Sequence, residues 1–203
     1  FRCDEAAASW TAAGAKVDGH RVRIDREHLM DLIGTAPSSY TMTARNPERT
    51  VTVGDGKQIF TPSYGAPYVL GLDGVRRSGT IEDFRNFTKL NHLSPALHMS
   101  GGVVCEPMDI AVPKRHLYMT ESLLRNSDKP FMGAVTSKER AEDSLHMAGI
   151  VFGQDEVRET TVMTCLANGN TPLVWDQTML DSVRVFAGAN QATLFSPFVL
   201  GGA

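Results

Sequence analysis

Pro130-Phe131-Met132-Gly133-Ala134-Val135, a helical pattern from Glu139 to Phe152, then Thr161-Val162-Met163-Thr164-Cys165-Leu166: this alternation decides the fold. Both apolar runs are short and rich in residues suited to a buried strand. The pattern between them has the 3.6-residue period of an amphipathic helix. Outward from it, Leu97 to Val104 and Ala192 to Phe198 read as two more strands, and Arg115 to Arg125 and Gln177 to Ala189 as two more helices. Ser137 and Asp176 stand where helix N-caps belong. Successive strands begin about 30 residues apart, the size of one βαβ step, which implies a parallel sheet. A nucleotide-binding open sheet would carry a Gly-rich first turn. Gly101-Gly102 lies inside a strand pattern and lacks the third glycine. The expectation is therefore α/β, a partial (β/α)8 TIM-type barrel with polar, varied loops at its strand ends.

Before this series the grammar differs. Asp18-Gly19, Asp55-Gly56 and Asp73-Gly74 are hairpin signals between β-prone runs, because Asp-Gly supplies the positive φ of a tight turn. A short helix follows Asp25 and ends before Pro37. Thr80-Ile81-Glu82-Asp83 has the form of a capping box. The expected division is a hairpin-rich segment over residues 1–78 and an incomplete β/α barrel over residues 79–203. Opening in a helical pattern and closing on an apolar strand, the sequence reads as a fragment.

Composition narrows the function classes. The chain has 203 residues, 42% of them apolar, and a formal net charge of -3. That balance gives no basic footprint for nucleic acid or an anionic membrane. No apolar run approaches the length of a membrane helix, and the N-terminus lacks the features of a signal peptide. Cys3, Cys105 and Cys165 form no C-x-x-C pair and are odd in number, so reduced thiols in a cytoplasmic protein are expected. Cys105, Cys165 and His98 lie on or near strands, but nothing in their spacing makes ligands converge, so no metal site is expected.

The strand ends are where barrel chemistry resides. They offer Cys105-Glu106-Pro107-Met108-Asp109, Thr136-Ser137, Asn168-Gly169-Asn170-Thr171-Pro172 with Trp175-Asp176, and Ser196-Pro197-Phe198. Tyr64-Gly65-Ala66-Pro67-Tyr68 precedes them. These are mostly amides, hydroxyls and rings, suited to holding a small polar or cationic molecule. Tyr64, Tyr68, Trp175 and Phe198 could present ring faces to a quaternary ammonium group; each could equally be a packing aromatic. Asn168 and Asn170 could hydrogen-bond a ligand or simply form a turn. Glu106 and Asp109 could form a carboxylate pair but read more simply as solvated loop acids, and His116 and His146 as surface or satisfied core histidines.

The ordered strings Val17-Asp18-Gly19-His20-Arg21-Val22-Arg23-Ile24, Ala44-Arg45-Asn46-Pro47-Glu48-Arg49, Gly65-Ala66-Pro67-Tyr68-Val69-Leu70, Asp128-Lys129-Pro130-Phe131, Asn168-Gly169-Asn170-Thr171-Pro172-Leu173 and Ser196-Pro197-Phe198 resemble the trimethylamine methyltransferase family. The resemblance implies a barrel enzyme that moves a methyl group from a methylated amine to the Co(I) of a corrinoid (cobalamin) carried by a separate small protein, with no cofactor bound directly. A homo-oligomer is also expected, and the composition above leads to no expectation of nucleic-acid or membrane partners. Founding members use pyrrolysine, at a position expected beyond Ala203; many others are expected to act on quaternary amines such as glycine betaine. The expected substrate-binding residues are Tyr64, Tyr68, His98, Asn168, Asn170, Trp175 and Phe198, with no catalytic residue carried over. For a betaine carboxylate, Arg45, His98 and the two amides are the candidates. The competing readings are a non-catalytic relative that binds a methylated amine, and another barrel enzyme such as a lyase or aldolase. The latter would need a strand-end Lys or metal, and Lys114 and Lys138 both fall at helix starts.

Overall fold

The structure, a computed structural model, describes residues 1–170 and 173–197. Helix α1 (Asp4–Ala12) is capped by Cys3, whose sulfur accepts from the Ala6 N–H. Strands β1 (Lys16–Asp18) and β2 (Arg21–Arg23) form an antiparallel hairpin around Gly19. Asp25 caps α2 (Arg26–Gly34) by accepting from the Glu27 N–H. Strands β3 (Tyr40–Met42) and β4 (Val51–Val53) pair antiparallel across a short 3-10 turn, Pro47–Arg49. Strands β5 (Tyr68–Leu70) and β6 (Arg76–Ser78) form the hairpin expected at Asp73-Gly74.

The hairpin expected at Asp55-Gly56 does not form, because β4 returns to β3 and Gln58–Thr61 is irregular. Gly54 sets this path: its φ is +93° and an added Cβ would lie 2.1 Å from the Ser38 carbonyl oxygen. Phe60 instead bonds to His98, its carbonyl accepting from the His98 N–H at 2.8 Å and its own N–H donating to the His98 ring at 3.0 Å.

The second half follows the expected alternation more closely. Its elements are α3 (Ile81–Leu93), α4 (Val112–Asn126), β7 (Phe131–Met132), α5 (Lys138–Phe152), α6 (Glu156–Glu159), β8 (Met163–Gly169), α7 (Gln177–Gly188) and β9 (Ala192–Pro197). Strands β7, β8 and β9 form a parallel sheet in chain order. Thr80 and Asp83 complete a capping box on α3. Ser137 and Asp176 cap α5 and α7 as their positions predict. Helices α3 to α5 and α7 pack successively on one another. Phe84, Leu123, Phe131, Met163, Cys165 and Phe186 join helix and sheet in one buried cluster. Gly133 admits the close approach of α7, since a Cβ there would meet Phe186 Cζ at 2.6 Å.

The strand expected over Leu97–Val104 is absent as a regular element. The segment still runs beside β7: the Ser100 N–H donates to Pro130 O at 2.8 Å and the Met132 N–H to Gly101 O at 2.9 Å. At Gly101 the backbone turns to φ +76°, outside the extended region, and the ladder stops. Below the sheet, β3 and the chain after it reach the strand starts. The Thr43 N–H donates to Thr161 O at 2.7 Å and the Arg45 N–H to Asp128 O at 3.0 Å. Among the described residues no helix is long and apolar enough to cross a membrane.

Candidate functional site

Strand β8 sets the geometry of the site. Its register pairs Thr164 with Ala192, Leu166 with Leu194 and Asn168 with Ser196. Alternation puts those side chains on one face, and Met163, Cys165 and Ala167 on the other, under the helices. Toward its C-terminal end the first face is less covered: Leu166, Asn168 and Ser196 are half-buried and Leu194 is exposed. Asn168 and Ser196 therefore present an amide and a hydroxyl side by side at a strand end.

The neighbouring candidates are placed differently. Asn170 is knit into the loop: its N–H donates to Val174 O at 2.7 Å, and its side-chain amide donates to Asp176, which in turn caps α7. The Trp175 ring lies over Gly169 and meets Phe195 edge-on, with centroids 5.5 Å apart. Gly169 and Phe195 belong to the helix-covered face, so Trp175 stands across the sheet from Asn168. Thr171, Pro172 and Phe198 lie outside the described residues.

Tyr64 is part of a strap laid along the segment after Gly101. The Gly65 N–H donates to Val103 O at 2.7 Å and the Glu106 N–H to Ala66 O at 2.9 Å. Tyr68 projects from the β5–β6 hairpin with the Arg76 guanidinium 4.0 Å from its ring centroid. His98 lies toward the N-terminal end of the sheet, two residues before Ser100, which bonds ahead of β7. Its Nδ1 accepts from the Phe60 N–H at 3.0 Å and its ring stacks on Phe60.

Arg45 is at that same end. Its guanidinium donates to Leu124 O at 2.8 Å and Ser127 O at 3.2 Å, satisfying carbonyls at the end of α4. Lys129 does likewise for α3, donating to Asn91 O and Ser94 O at 2.6 and 2.8 Å. Burial, with the Arg49 cation beside it, lowers the Lys129 pKa below the usual amine range. The loop acids are bound rather than simply solvated. Glu106 accepts from Arg115 at 2.6 Å, and Asp109 accepts from the Ile81 N–H at 2.9 Å. Burial, reinforced by the Asp83 and Glu106 charges, pushes the Cys105 thiol up to about 11. Burial raises Cys165 as well. Among the described residues, no three His, Cys, Asp or Glu side chains gather as metal ligands.

A cavity of about 150 Å³ opens at the C-terminal end of β7, between the strand and α4. Gly102, Met119, Leu123, Met132 and Val135 form apolar walls, and Thr136, Arg115, His116 and Arg140 supply polar groups. His116 is 6% exposed. Its Nε2 is 2.8 Å from Asp143 Oδ2, while its Nδ1 has no partner among the described residues. The sequence pointed to Thr136 by its strand-end position. His116 and Arg140 carried no such signal, because only packing of α4 against α5 and β7 brings them together.

Comparison with known proteins supports the resemblance read from the sequence. Over all 203 residues the chain is 42% identical to the glycine betaine methyltransferase of Desulfitobacterium hafniense (strain Y51), covering 42% of that protein. It is 24% identical over 192 residues to the proline betaine:corrinoid methyltransferase of Eubacterium limosum, covering 90% of this chain and 39% of that one. It is also 24% identical over 174 residues to trimethylamine methyltransferase MttB of Desulfitobacterium hafniense (strain DSM 10664 / DCB-2), covering 83% of this chain and 35% of that one. The chain thus spans well under half the length of each of these relatives. The family model for trimethylamine methyltransferase (MTTB) matches residues 1–203, and the chain belongs to that family.

Proposed function

We propose that the protein moves a methyl group from a methylated amine, a quaternary amine such as glycine betaine rather than trimethylamine, to the Co(I) of a corrinoid carried by a partner protein. In this reading the β/α units are part of a (β/α)8 barrel of TIM type. The supporting observation is the 42% identity, sustained over the full 203 residues, to a protein named glycine betaine methyltransferase. The parallel order of β7, β8 and β9 suits the barrel. Buried, unpaired Cys3, Cys105 and Cys165 suit a reducing cytoplasm.

The strand-end chemistry accords with such a division of labour. The corrinoid supplies the nucleophile, so the chain need only bind the amine, aim one methyl outward and exclude water. Asn168 and Ser196 can orient a polar group without competing as bases. A quaternary ammonium leaves as a neutral amine and needs no proton, whereas a tertiary amine would first have to be made cationic. The acids and thiols near the strand ends are tied up in hydrogen bonds or held protonated by burial.

The test is methyl transfer by the intact protein, with a Co(I) corrinoid protein and a panel of glycine betaine, proline betaine, choline and trimethylamine. Loss of the Co(I) absorption should track formation of the demethylated amine, with a betaine the best donor. Binding without transfer would instead support a non-catalytic relative. Neither binding nor transfer would remove the reading.

A further inference from the structure

We propose that the cavity at the end of β7 is the carboxylate-binding half of the substrate site, with Arg140 as the cation that recognises a betaine; this rests on the methylated-amine reading above. Among the described residues Glu106 is the only carboxylate lining the cavity, and Arg115 already binds it at 2.6 Å. Arg140 is the cation left over. It donates to Thr136 Oγ1 at 2.7 Å and to Val112 O at 3.5 Å, both neutral acceptors, and forms no ion pair among the described residues. A guanidinium with free N–H groups beside a hydroxyl is suited to a carboxylate.

Val112 opens α4, a helix of 15 residues, and among the described residues no side chain caps that N-terminus. Pro113 has no N–H and the Lys114 N–H donates to Ala111 O at 2.9 Å, so it is the positive end of the helix dipole that favours an anion there. His116, buried and fixed through Nε2 by Asp143, forms part of the wall of the same cavity. Two aromatic-poor, apolar walls complete the space; a volume of about 150 Å³ exceeds what one or two waters need. The other cation considered for this role, Arg45, is bound to helix carbonyls at the opposite end of the sheet. Residues from β7, α4 and α5 thus converge on one small anionic group, and the quaternary nitrogen would extend from it toward the strand ends.

The proposal predicts selection by the carboxylate. Calorimetric titration of the intact protein with glycine betaine, choline and acetate separates the contributions, since choline keeps the quaternary nitrogen and lacks the carboxylate. Wild type should bind betaine at least tenfold more tightly than choline. Arg140→Gln should weaken betaine binding at least tenfold and leave choline unchanged, and Arg140→Lys should recover part of the loss. Thermal melting of both variants within a few degrees of wild type shows that the fold is kept. Equal betaine affinity in wild type and Arg140→Gln, or parallel loss of choline, overturns the assignment. Choline binding without betaine binding overturns it too and leaves the methylated-amine reading standing; failure to bind either ligand removes both.

Discussion

Asn168 and Ser196 are ladder partners of β8 and β9, and their side chains leave the same, less covered face of the parallel sheet. Neither side chain is needed to hold the sheet, whose bonds are made by the backbone. Asn168→Ala in the intact protein should therefore raise the KM for the methylated amine about tenfold, the equivalent of one substrate hydrogen bond or about 1.4 kcal/mol. Stability should stay within about 0.5 kcal/mol of wild type, as for substitutions away from packed groups. An unchanged KM would place the substrate elsewhere.

Trp175 gives the contrasting outcome. It packs over Gly169 and against the Phe195 edge on the helix side of the sheet. Trp175→Ala should lower stability by about 2 kcal/mol, less than for a fully buried aromatic. Trp175→Phe should restore much of this, and donor affinity should hold in both variants. Denaturant titration beside ligand titration distinguishes packing from binding.

Asp83 links stability to pH. Arg77 donates to both of its oxygens, at 2.5 and 2.7 Å, and Thr80 adds its N–H and hydroxyl. The Arg77 bonds first, then those from Thr80, hold its carboxyl well below the usual carboxylate range. Because the folded value is depressed, the stabilisation is fully present above the unfolded value of about 4 and is lost as pH falls through the folded value. Asp83→Asn should cost about 1–2 kcal/mol at pH 7. The difference from wild type should shrink as pH is lowered from 5 toward 2; a gap independent of pH would mean the charge contributes nothing.

Gln191 makes the start of β8 depend on one side chain. Its Oε1 accepts from the Val162 and Met163 N–H groups at 2.9 and 3.1 Å. Its Nε2 donates to the carbonyls of Val157, Thr160 and Ala189 at 2.6, 2.9 and 2.8 Å. Gln191→Ala should cost about 2–4 kcal/mol by leaving several buried backbone groups unsatisfied. Hydrogen exchange should show the Val162 and Met163 amides losing protection ahead of those deeper in β8. Uniform protection would contradict this.

Much of the second half was legible because its signals are local. Helical periods over Glu139–Phe152 and Gln177–Ala189, and caps at Ser137 and Asp176, depend only on neighbours in sequence, and they match α5 and α7. The misreadings arose where distant contacts decide. A positive φ at Gly101 ends a ladder that the composition of residues 97–104 favoured. Contact with Ser38 at Gly54 redirects a hairpin that Asp55-Gly56 signalled. At the site, the strand-end rule found Asn168 and Thr136. Arg140 and His116 sit on helices and gain meaning only when α4 and α5 meet. Arg45 looked like a carboxylate ligand because its employment by Leu124 and Ser127 spans some 80 positions of sequence.

Tyr68 and Arg76 lie diagonally across the β5–β6 hairpin, where Tyr68 pairs with Ser78 and Arg76 with Leu70, and the guanidinium is 4.0 Å from the ring centroid. A ring face is a single-occupancy receptor, since its negative quadrupole can be matched by one cation at a time. The hairpin thus carries its own competitor. An incoming ammonium must take the opposite face of Tyr68 or displace a tethered cation whose local concentration is fixed by the strand register. Removing that rival, as in Arg76→Ser, would convert a self-inhibited ring into a vacant one, which is a different act from strengthening the ring itself.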